Sequence, residues 1–396
     1  MAKYNFDEII DRRGTNSIKY DLMAELGMPG DVLPMWVADM DFRSPPAVTE
    51  AIIKAGQHGI FGYSKSRADY FEAVYNWFDR RFRWKTEQAW LVKTPGVVFA
   101  AAAAIRALTE PGDGVLIQPP VYYPFSRLVN ANQRRLVNNP LIYEKGSYRI
   151  DFEDFEAKII ENKAKLYILC NPHNPVSRVW TREELIRLGD ICVRHGVTIV
   201  SDEIHCDFIY PGHHHHVFAS LKDEFLDHTI TCTAPSKTFN LAGLQAANIF
   251  IANKDMRKEY QEEIKRTGYS QINMAAAAAC QAAYSCGSDW LDELILYLDE
   301  SIAYVKNFLA DEIPQIQLTE PQGTYLIWLD FNKFGLSEEE REDIILNKAK
   351  LWLNKGTMFG VEGRGFERMN IACPRAVLKK ALTQLAEAFR GQDGIV

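Results

Sequence analysis

The sequence lacks the features that mark several large classes of protein. It has no apolar run of 18 residues, so no segment is predicted to span a membrane. Residues 1–8 turn acidic where a secretory signal would be apolar, and we expect a cytoplasmic protein. Lys and Arg total 45 against 52 Asp and Glu, and no block of like charge occurs, which argues against nucleic acid as a partner.

Common catalytic signatures are missing as well. The chain contains no G-x-G-x-x-G, G-x-x-x-x-G-K-[ST], H-E-x-x-H or G-x-S-x-G, the usual phosphate, zinc and esterase motifs. Seven cysteines form an odd number without a C-x-x-C pair, so we expect reduced, structural thiols. Any functional site must therefore be assembled from residues scattered along the chain.

What the sequence does contain is typical of a large folded protein, since 47% of its 396 residues are hydrophobic and 24% are charged. Short β-branched runs alternate with helical patterns through its middle, which indicates a helix-covered, mostly parallel sheet. A capping sequence from Thr181 to Glu184 and a stop at Gly196 predict one helix of this region. The candidate strands lie at 115–118, 166–170, 197–201, 230–233 and 247–251.

The last third of the chain has a different pattern. Apolar residues recur at helical spacing from Trp290 to Ile313, which predicts one long helix. A strand at 325–331, a helix at 337–354 and a final helix at 374–390 are predicted after it. These elements are enough for a small α+β domain.

Polar residues follow the candidate strands, where an open α/β sheet places its ligands. The helix that opens after 94–96 has free N–H groups that attract phosphate, although most such helix starts bind nothing. Tyr122 is placed to stack on a flat ring or simply to pack at the surface. Asn174 and Asp202 offer an amide and a carboxylate for such a ring; ordinary turn chemistry and a solvated carboxylate are the alternatives.

Lys237 connects these observations, because it follows the strand at 230–233 beside the hydroxyl of Ser236. One lysine on a loop carries no information by itself. Successive strand-end loops, however, present a helix start, an aromatic ring, an amide, a carboxylate and an amine. Pyridoxal 5′-phosphate (PLP) needs this set of groups, so the order of the loops predicts a PLP site.

The order and spacing of these residues resemble the fold-type I PLP enzymes, the aspartate aminotransferase superfamily, over essentially the whole chain. Strings at 35–42, 58–63 and 236–245 are most similar to the cystathionine β-lyase group known as the MalY/PatB family. The resemblance implies an α/β fold in which helices cover a mostly parallel seven-stranded sheet. We expect a large PLP-binding domain at 47–286 and a small α+β domain formed by 1–46 and 287–396.

The resemblance also implies roles for the residues of the cofactor ring. Lys237 would be the catalytic residue that bonds covalently to the cofactor and later moves the Cα proton. Asp202 would pair with the pyridine nitrogen, and Tyr122 would stack on the ring. Asn174 would donate to the ring oxygen O3′, near which His205 replaces the usual Tyr.

Further residues would hold the phosphate. These are the backbone of Val97 and Val98, the hydroxyl of Ser236, and Tyr63 from the other subunit, which implies a homodimer. An amino-acid substrate would bind through its α-carboxylate, which the resemblance assigns to Arg368 together with Ala38 and Asn174. A surface ion pair is the alternative for Arg368.

The implied function is a carbon–sulfur β-lyase that cleaves cystathionine or related cysteine S-conjugates to a thiol, pyruvate and ammonia. Gln245, Ala234 and His205 replace an Arg, a Ser and a Tyr of many aminotransferases, and Gln245 and His205 fit the lyase-like subgroup. A PLP-dependent aminotransferase and a PLP-binding regulatory protein with low turnover are the alternatives. The run 213–216, four histidines, is predicted to be a surface loop without a catalytic metal, because adjacent side chains point in different directions.

Overall fold

A computed structural model describes residues 3–391 of the chain. None of the helices within this range is long and apolar enough to cross a bilayer. A seven-stranded and a four-stranded sheet organise the described residues, and two short strand pairs accompany them. The strands are β1 (Leu33–Pro34), β2 (Leu91–Thr94), β3 (Gly114–Ile117), β4 (Arg135–Asn138), β5 (Ile142–Glu144), β6 (Ser147–Arg149), β7 (Ala164–Cys170), β8 (Thr198–Asp202), β9 (Thr229–Thr233), β10 (Ala247–Phe250), β11 (Gln317–Leu318), β12 (Leu326–Asp330), β13 (Leu351–Trp352), β14 (Asn354–Lys355) and β15 (Phe366–Asn370).

The large sheet has the order β2-β10-β9-β8-β7-β3-β4, and β10 runs antiparallel to both of its neighbours while the others share one direction. All five strands predicted in this region are present, each within one or two residues of its predicted bounds. The sheet is therefore mostly parallel, as expected.

Helices cover this sheet and flank the small one. They are α1 (Pro46–Gln57), α2 (Ala68–Phe82), α3 (Val97–Leu108), α4 (Pro124–Ala131), α5 (Phe152–Asn162), α6 (Arg182–Arg194), α7 (Asp223–His228), α8 (Pro235–Thr238), α9 (Lys254–Arg266), α10 (Met274–Cys286), α11 (Ser288–Glu312), α12 (Glu338–Asp343) and α13 (Arg375–Phe389). Helix α6 begins at the predicted capping box: Glu184 N donates to Thr181 Oγ1 at 3.2 Å, and Thr181 N donates to the Glu184 carboxylate at 2.8 Å. The exchange satisfies two N–H groups that the helix itself cannot pair.

The burial of the large sheet explains where its polar residues collect. Strands β3, β8 and β9 are buried almost end to end because helices lie on both faces. Helix α3 packs closely on them through the small side chains of 100–104, all of which are buried. Apart from small hydroxyl side chains in β8 and β9, these strands are apolar until Asp202 ends β8, so the larger polar side chains lie at the carboxyl ends of the strands, which meet at one edge of the sheet.

The long helix predicted from Trp290 to Ile313 is observed as α11, and its Leu294, Leu298 and Val305 are fully buried. It leads into the antiparallel sheet β11-β12-β15-β14. The predicted strand at 325–331 is β12, and the predicted final helix is α13.

The predicted helix at 337–354 is wrong beyond its first turns. Helix α12 ends at Asp343, a π turn covers Ile344–Lys348, and Lys350 takes a left-handed φ of 53°. The chain then forms β13, which pairs with β1, and β14, which pairs with β15. The apolar residues here fit a helical period, but sheet pairing decides their conformation.

The N-terminal residues lie against the small sheet. After β1, Asn370 N donates to Met35 O at 2.8 Å and Asp41 N donates to Ala372 O at 2.9 Å, so this segment follows the end of β15. The division into domains at 47–286 and at 1–46 with 287–396 stays a prediction. The seven cysteines are unpaired, and all but the exposed Cys286 are buried.

Candidate active site

The strand-end loops of the large sheet, the segment 36–38 and two strands of the small sheet, β14 and β15, line a cleft of about 400 Å³. Ten of the eleven predicted site residues line it: Ala38, Val97, Val98, Tyr122, Asn174, Asp202, His205, Ser236, Lys237 and Arg368. Tyr63 is placed elsewhere, on the loop after α1, where its side chain is completely exposed. Segments that are far apart in the sequence therefore contribute to one site.

Lys237 lies on the short helix α8, directly after β9, and its Nζ donates to Ala38 O at 2.6 Å. Burial lowers the pKa of this amine to about 8; nearby Asp39 and Asp202 oppose that shift, and Arg368 adds to it. About a tenth of Lys237 is consequently neutral at pH 7, far more than for an ordinary lysine. A neutral amine can act as a nucleophile or as a base.

Asp202 ends β8 and is 5% exposed. Its Oδ1 accepts one hydrogen bond, from Ile204 N at 3.1 Å, and no cationic side chain among residues 3–391 forms an ion pair with it. Burial raises its pKa to about 7; the charge of Glu203 adds to this shift and Lys237 opposes it. A protonated nitrogen in the cleft would supply the partner that this carboxylate lacks.

Arg368 projects from β15 and is held by three acceptors. Nη1 donates to Asn174 Oδ1 at 2.9 Å, and Nη2 donates to Trp36 O at 2.9 Å and to Asn354 Oδ1 at 2.5 Å. The guanidinium also lies 4.9 Å from the ring centroid of Phe359. Its buried Nε has no hydrogen-bond partner among residues 3–391. This fixed cation with an unmet donor is suited to binding a carboxylate.

The first turn of α3 forms another wall of the cleft. Gly96 precedes Val97 and Val98, and Ser236 and Gln245 line the same cleft. The first N–H groups of an α-helix have no partners within the helix and attract anions. The neutral Gln245 adds no positive charge here, so backbone dipoles and hydroxyl groups would carry the binding of a phosphate.

Two ring-bearing side chains complete the cleft. Tyr122 follows β3 and packs edge-on against Phe125, with ring centroids 5.5 Å apart. His205 packs edge-on against Tyr325 with ring centroids 5.7 Å apart, and within the described part of the chain its buried Nδ1 has no hydrogen-bond partner. Burial holds the pKa of His205 well below its usual value, and the charges of Lys237 and Arg368 lower it further, so the imidazole is neutral.

Comparison with known proteins places this site in a family. Residues 31–385 match the model of the aminotransferase class I and II family. The chain belongs to this family. It is 47% identical to the cystathionine beta-lyase PatB of Bacillus subtilis (strain 168), over 97% of this chain and 100% of that protein.

Solved structures show the same fold. Cystalysin from Treponema denticola, whose crystal structure contains a pyridoxal 5′-phosphate cofactor, is 36% identical with a TM-score of 0.95, covering 98% of this chain and 99% of that one. The PLP-bound C-S lyase from Staphylococcus hominis is 35% identical with a TM-score of 0.91, covering 97% and 98%. The predicted family and the predicted α/β fold are confirmed.

The groups of the cleft fit PLP. Asp202 is a buried carboxylate that pairs with no cationic side chain of the described residues, which suits a protonated pyridine nitrogen. The buried His205 Nδ1 and Arg368 Nε are unpartnered polar atoms. The start of α3 supplies N–H groups for a phosphate. Each principal polar part of the cofactor thus has a complementary group on the chain.

Asn354 and Trp36 contact Arg368 but were not predicted as site residues. Asn354 stands at the end of the segment that the apolar pattern assigned to a helix, so its position beside Arg368 is hidden until β14 is known. Trp36 contributes its backbone oxygen, for which no side-chain signal exists. It does lie in the string 35–42 that carries the family resemblance, which is the one signal available.

The predicted surface loop of four histidines is wrong for His215. This side chain is 1% exposed, and its Nε2 lies 2.8 Å from the buried carboxylate of Glu203. Glu203 also accepts hydrogen bonds from Ser201 Oγ at 2.7 Å and Phe218 N at 3.0 Å. Three donors therefore surround the residue next to Asp202. In residues 3–391, no group of three or more His, Cys, Asp or Glu side chains is arranged to hold a metal.

Proposed function

We propose that the protein is a PLP-dependent carbon–sulfur β-lyase that cleaves cystathionine or related cysteine S-conjugates to a thiol, pyruvate and ammonia. The observation that carries the proposal is full-length similarity to a cystathionine beta-lyase, with 47% identity over 97% of this chain. The likeness to a PLP-bound C-S lyase supports it. Within the cleft, Gln245 and His205 stand where many aminotransferases carry other residues.

Substrate binding is assigned to Arg368 and Asn174. Three protein acceptors fix the guanidinium, so it can receive the substrate α-carboxylate without a change of side-chain conformation. The Ala38 carbonyl lies beside Lys237 Nζ, which confines the amine to the same side of the cleft. The amino acid is thereby oriented with its Cα toward Lys237.

The residues then divide the chemistry among them. When bound, PLP conjugated to the substrate nitrogen supplies a sink for the electron pair that remains at Cα. Lys237, whose pKa burial lowers to about 8, takes the Cα proton. Asp202 keeps a proton on the ring nitrogen. The Cβ–S bond breaks with its electron pair on sulfur, the thiolate leaves, and water converts the three-carbon remainder to pyruvate and ammonia.

The remaining predicted residues hold the cofactor in this proposal. Tyr122 stacks on the ring, Asn174 and His205 lie near O3′, and the phosphate binds to Ser236 and to the first turn of α3 at Val97 and Val98.

A second copy of the chain is part of the proposal. Tyr63 is fully exposed and its neighbours Ile60 and Phe61 are about two-thirds to three-quarters exposed, at 68% and 73%, so this apolar loop is available to reach a partner's cleft. We also propose the domain division at 47–286 and at 1–46 with 287–396, so that the substrate binds where β15 faces the loops of the large sheet.

The product assay tests the proposed function. Purified holoenzyme is incubated with L-cystathionine and with S-alkyl cysteines, with and without an added 2-oxo acid, and thiol and pyruvate are quantified. Equal amounts of thiol and pyruvate without the 2-oxo acid are expected. Amino transfer that requires the 2-oxo acid would identify an aminotransferase, and a bound cofactor without turnover would identify a regulatory protein; either result would overturn the proposal.

A further inference from the structure

The cationic groups of the cleft are held by backbone oxygens of one short segment, residues 36–40, here called the carbonyl segment. Ala38 O accepts hydrogen bonds from Lys237 Nζ at 2.6 Å and from Tyr325 Oη at 2.9 Å. Trp36 O accepts from Arg368 Nη2 at 2.9 Å. A shift of this segment would therefore move both Lys237 and Arg368.

Charged side chains of residues 12–20, here called the N-terminal strap, form ion pairs with Asp39 of the carbonyl segment and with the adjacent Asp41. Arg12 forms a fork with Asp39 through Nη1 at 3.1 Å and Nη2 at 2.6 Å, and its Nη1 also donates to Asp41 at 2.8 Å. Lys19 Nζ donates to the other oxygen of Asp41 at 2.8 Å. The Lys19 side chain is 1% exposed. Two cations and two carboxylates thus form a compact cluster behind the site.

The strap also reaches the cleft directly, because Ile18 lines it. Met40 is held from both sides: its N–H donates to Asn240 Oδ1 at 3.0 Å, and its oxygen accepts from Asn240 Nδ2 at 2.9 Å and from Arg12 Nη1 at 3.3 Å. The N-terminal strap and the loop that follows Lys237 therefore both form hydrogen bonds with the carbonyl segment. Removing one partner of such a partly buried ion pair leaves the other charge uncompensated, so each charge of the cluster depends on the others.

We propose that Arg12 and Lys19 are positioning residues of the reaction, which hold the carbonyl segment against Lys237 and Arg368 and balance the charges of Asp39 and Asp41 behind the catalytic amine. Neither residue touches the reacting atoms. The inference rests on the proposed function for what Lys237 does, but the contacts that carry it do not depend on the identity of the substrate.

The charges give this role a signature that a purely structural role lacks. The charged groups that act on Lys237 are Asp39 and Asp202, which favour its protonated form, and Arg368, which disfavours it. Removing the charge of Asp39 should lower the pKa of the Lys237 nitrogen. Removing the positive charge of Arg12 leaves the negative charge of Asp39 less compensated, which should raise the pKa of the Lys237 nitrogen. The two partners of one ion pair should therefore shift the titration in opposite directions.

The experiment is a pH titration of the visible absorption of the holoenzyme without substrate, which reports protonation at the nitrogen that Lys237 contributes. Asp39→Asn should move the midpoint down and Arg12→Met should move it up. Arg43→Met is the matched control, since Arg43 forms an exposed pair with Glu8 at 2.8 Å, and it should leave the midpoint unchanged. Unchanged midpoints in both Asp39→Asn and Arg12→Met, or shifts of the two midpoints in the same direction, would overturn the proposal.

Steady-state kinetics provide a second readout. Arg12→Met should lower kcat/KM by roughly 10- to 100-fold, because the carbonyl segment loses the paired hydrogen bonds between the Arg12 guanidinium and the Asp39 carboxylate. Arg12→Lys keeps the charge, so it should restore the titration midpoint while recovering only part of kcat/KM. If the titration midpoint of Arg12→Lys still differs from that of the wild type, the charge-balancing role is contradicted. If the wild type binds the cofactor but releases no pyruvate, the proposed function fails while the titration still tests the strap.

Discussion

Replacing Arg368 with lysine should raise KM for the amino-acid substrate by roughly 10- to 150-fold with a smaller effect on kcat. Arginine presents two parallel donors to a carboxylate, whereas lysine offers a single point charge at a different position. One charged hydrogen bond contributes about 1.5–3 kcal/mol, and each 1.4 kcal/mol corresponds to a tenfold change. Arg368 keeps its charge at neutral pH although burial lowers its pKa to about 10, so the expected loss is one of geometry.

Pyruvate release measured over a range of L-cystathionine concentrations, at saturating cofactor, separates KM from kcat. Arg364→Lys is the matched control, because Arg364 is exposed on the loop just before β15, and its kinetics should equal those of the wild type. An unchanged KM in Arg368→Lys would refute the assignment of the α-carboxylate to this residue. A loss confined to kcat would do so too, since it would mean that the guanidinium acts only in the transition state.

Three further predictions concern buried titratable groups. Burial raises the pKa of Asp202 to about 7 from an ordinary 3.8, so the cofactor-free protein loses stability as the pH rises through that range. Asp202→Asn should therefore raise the free energy of unfolding of the cofactor-free protein at pH 8 by up to about 4 kcal/mol, measured by urea titration. The same variant should bind PLP more weakly. A cofactor-free variant that is less stable than the wild type would contradict this reasoning. His215→Ala should cost about 1–3 kcal/mol of unfolding free energy, because it leaves the carboxylate of Glu203 short of a donor, and the exposed His214→Ala should cost little; equal effects would refute the buried pair. In the cofactor-free protein, acetylation of Lys237 followed by mass spectrometry should be half-maximal near pH 8, and a midpoint near the ordinary 10.5 would show that burial does not depress its pKa.

Most of the cofactor-site residues predicted from the sequence share a position: they lie at or just after the carboxyl end of a strand of the large sheet. Strands such as β8 and β9 are recognisable as short β-branched runs, so Asp202, which ends β8, and Lys237, just after β9, must lie at the carboxyl edge of a parallel sheet. Order along the chain therefore predicted proximity in space. The family resemblance then supplied the role of Arg368, which no strand-end argument reaches.

The residues that it missed depend on pairing between distant segments. Asn354 was hidden because an apolar pattern that fits a helix is resolved into β13 and β14 by pairing with β1 and β15. His215 was placed at the surface because a run of polar residues gives no sign that one of them meets a buried carboxylate. The ion pairs of Arg12 with Asp39 and Asp41 join two irregular segments, which have no periodicity to reveal them.

The central claim is that the cofactor of this enzyme is carried by Lys237. Borohydride reduction of the holoenzyme, followed by proteolysis and mass spectrometry, fixes the cofactor to the nitrogen that holds it and identifies the peptide. The account predicts a single modified peptide containing Lys237, and no cofactor adduct in Lys237→Ala. Modification of a different lysine, such as the half-buried Lys93 on β2, or an adduct that persists in Lys237→Ala, would contradict it.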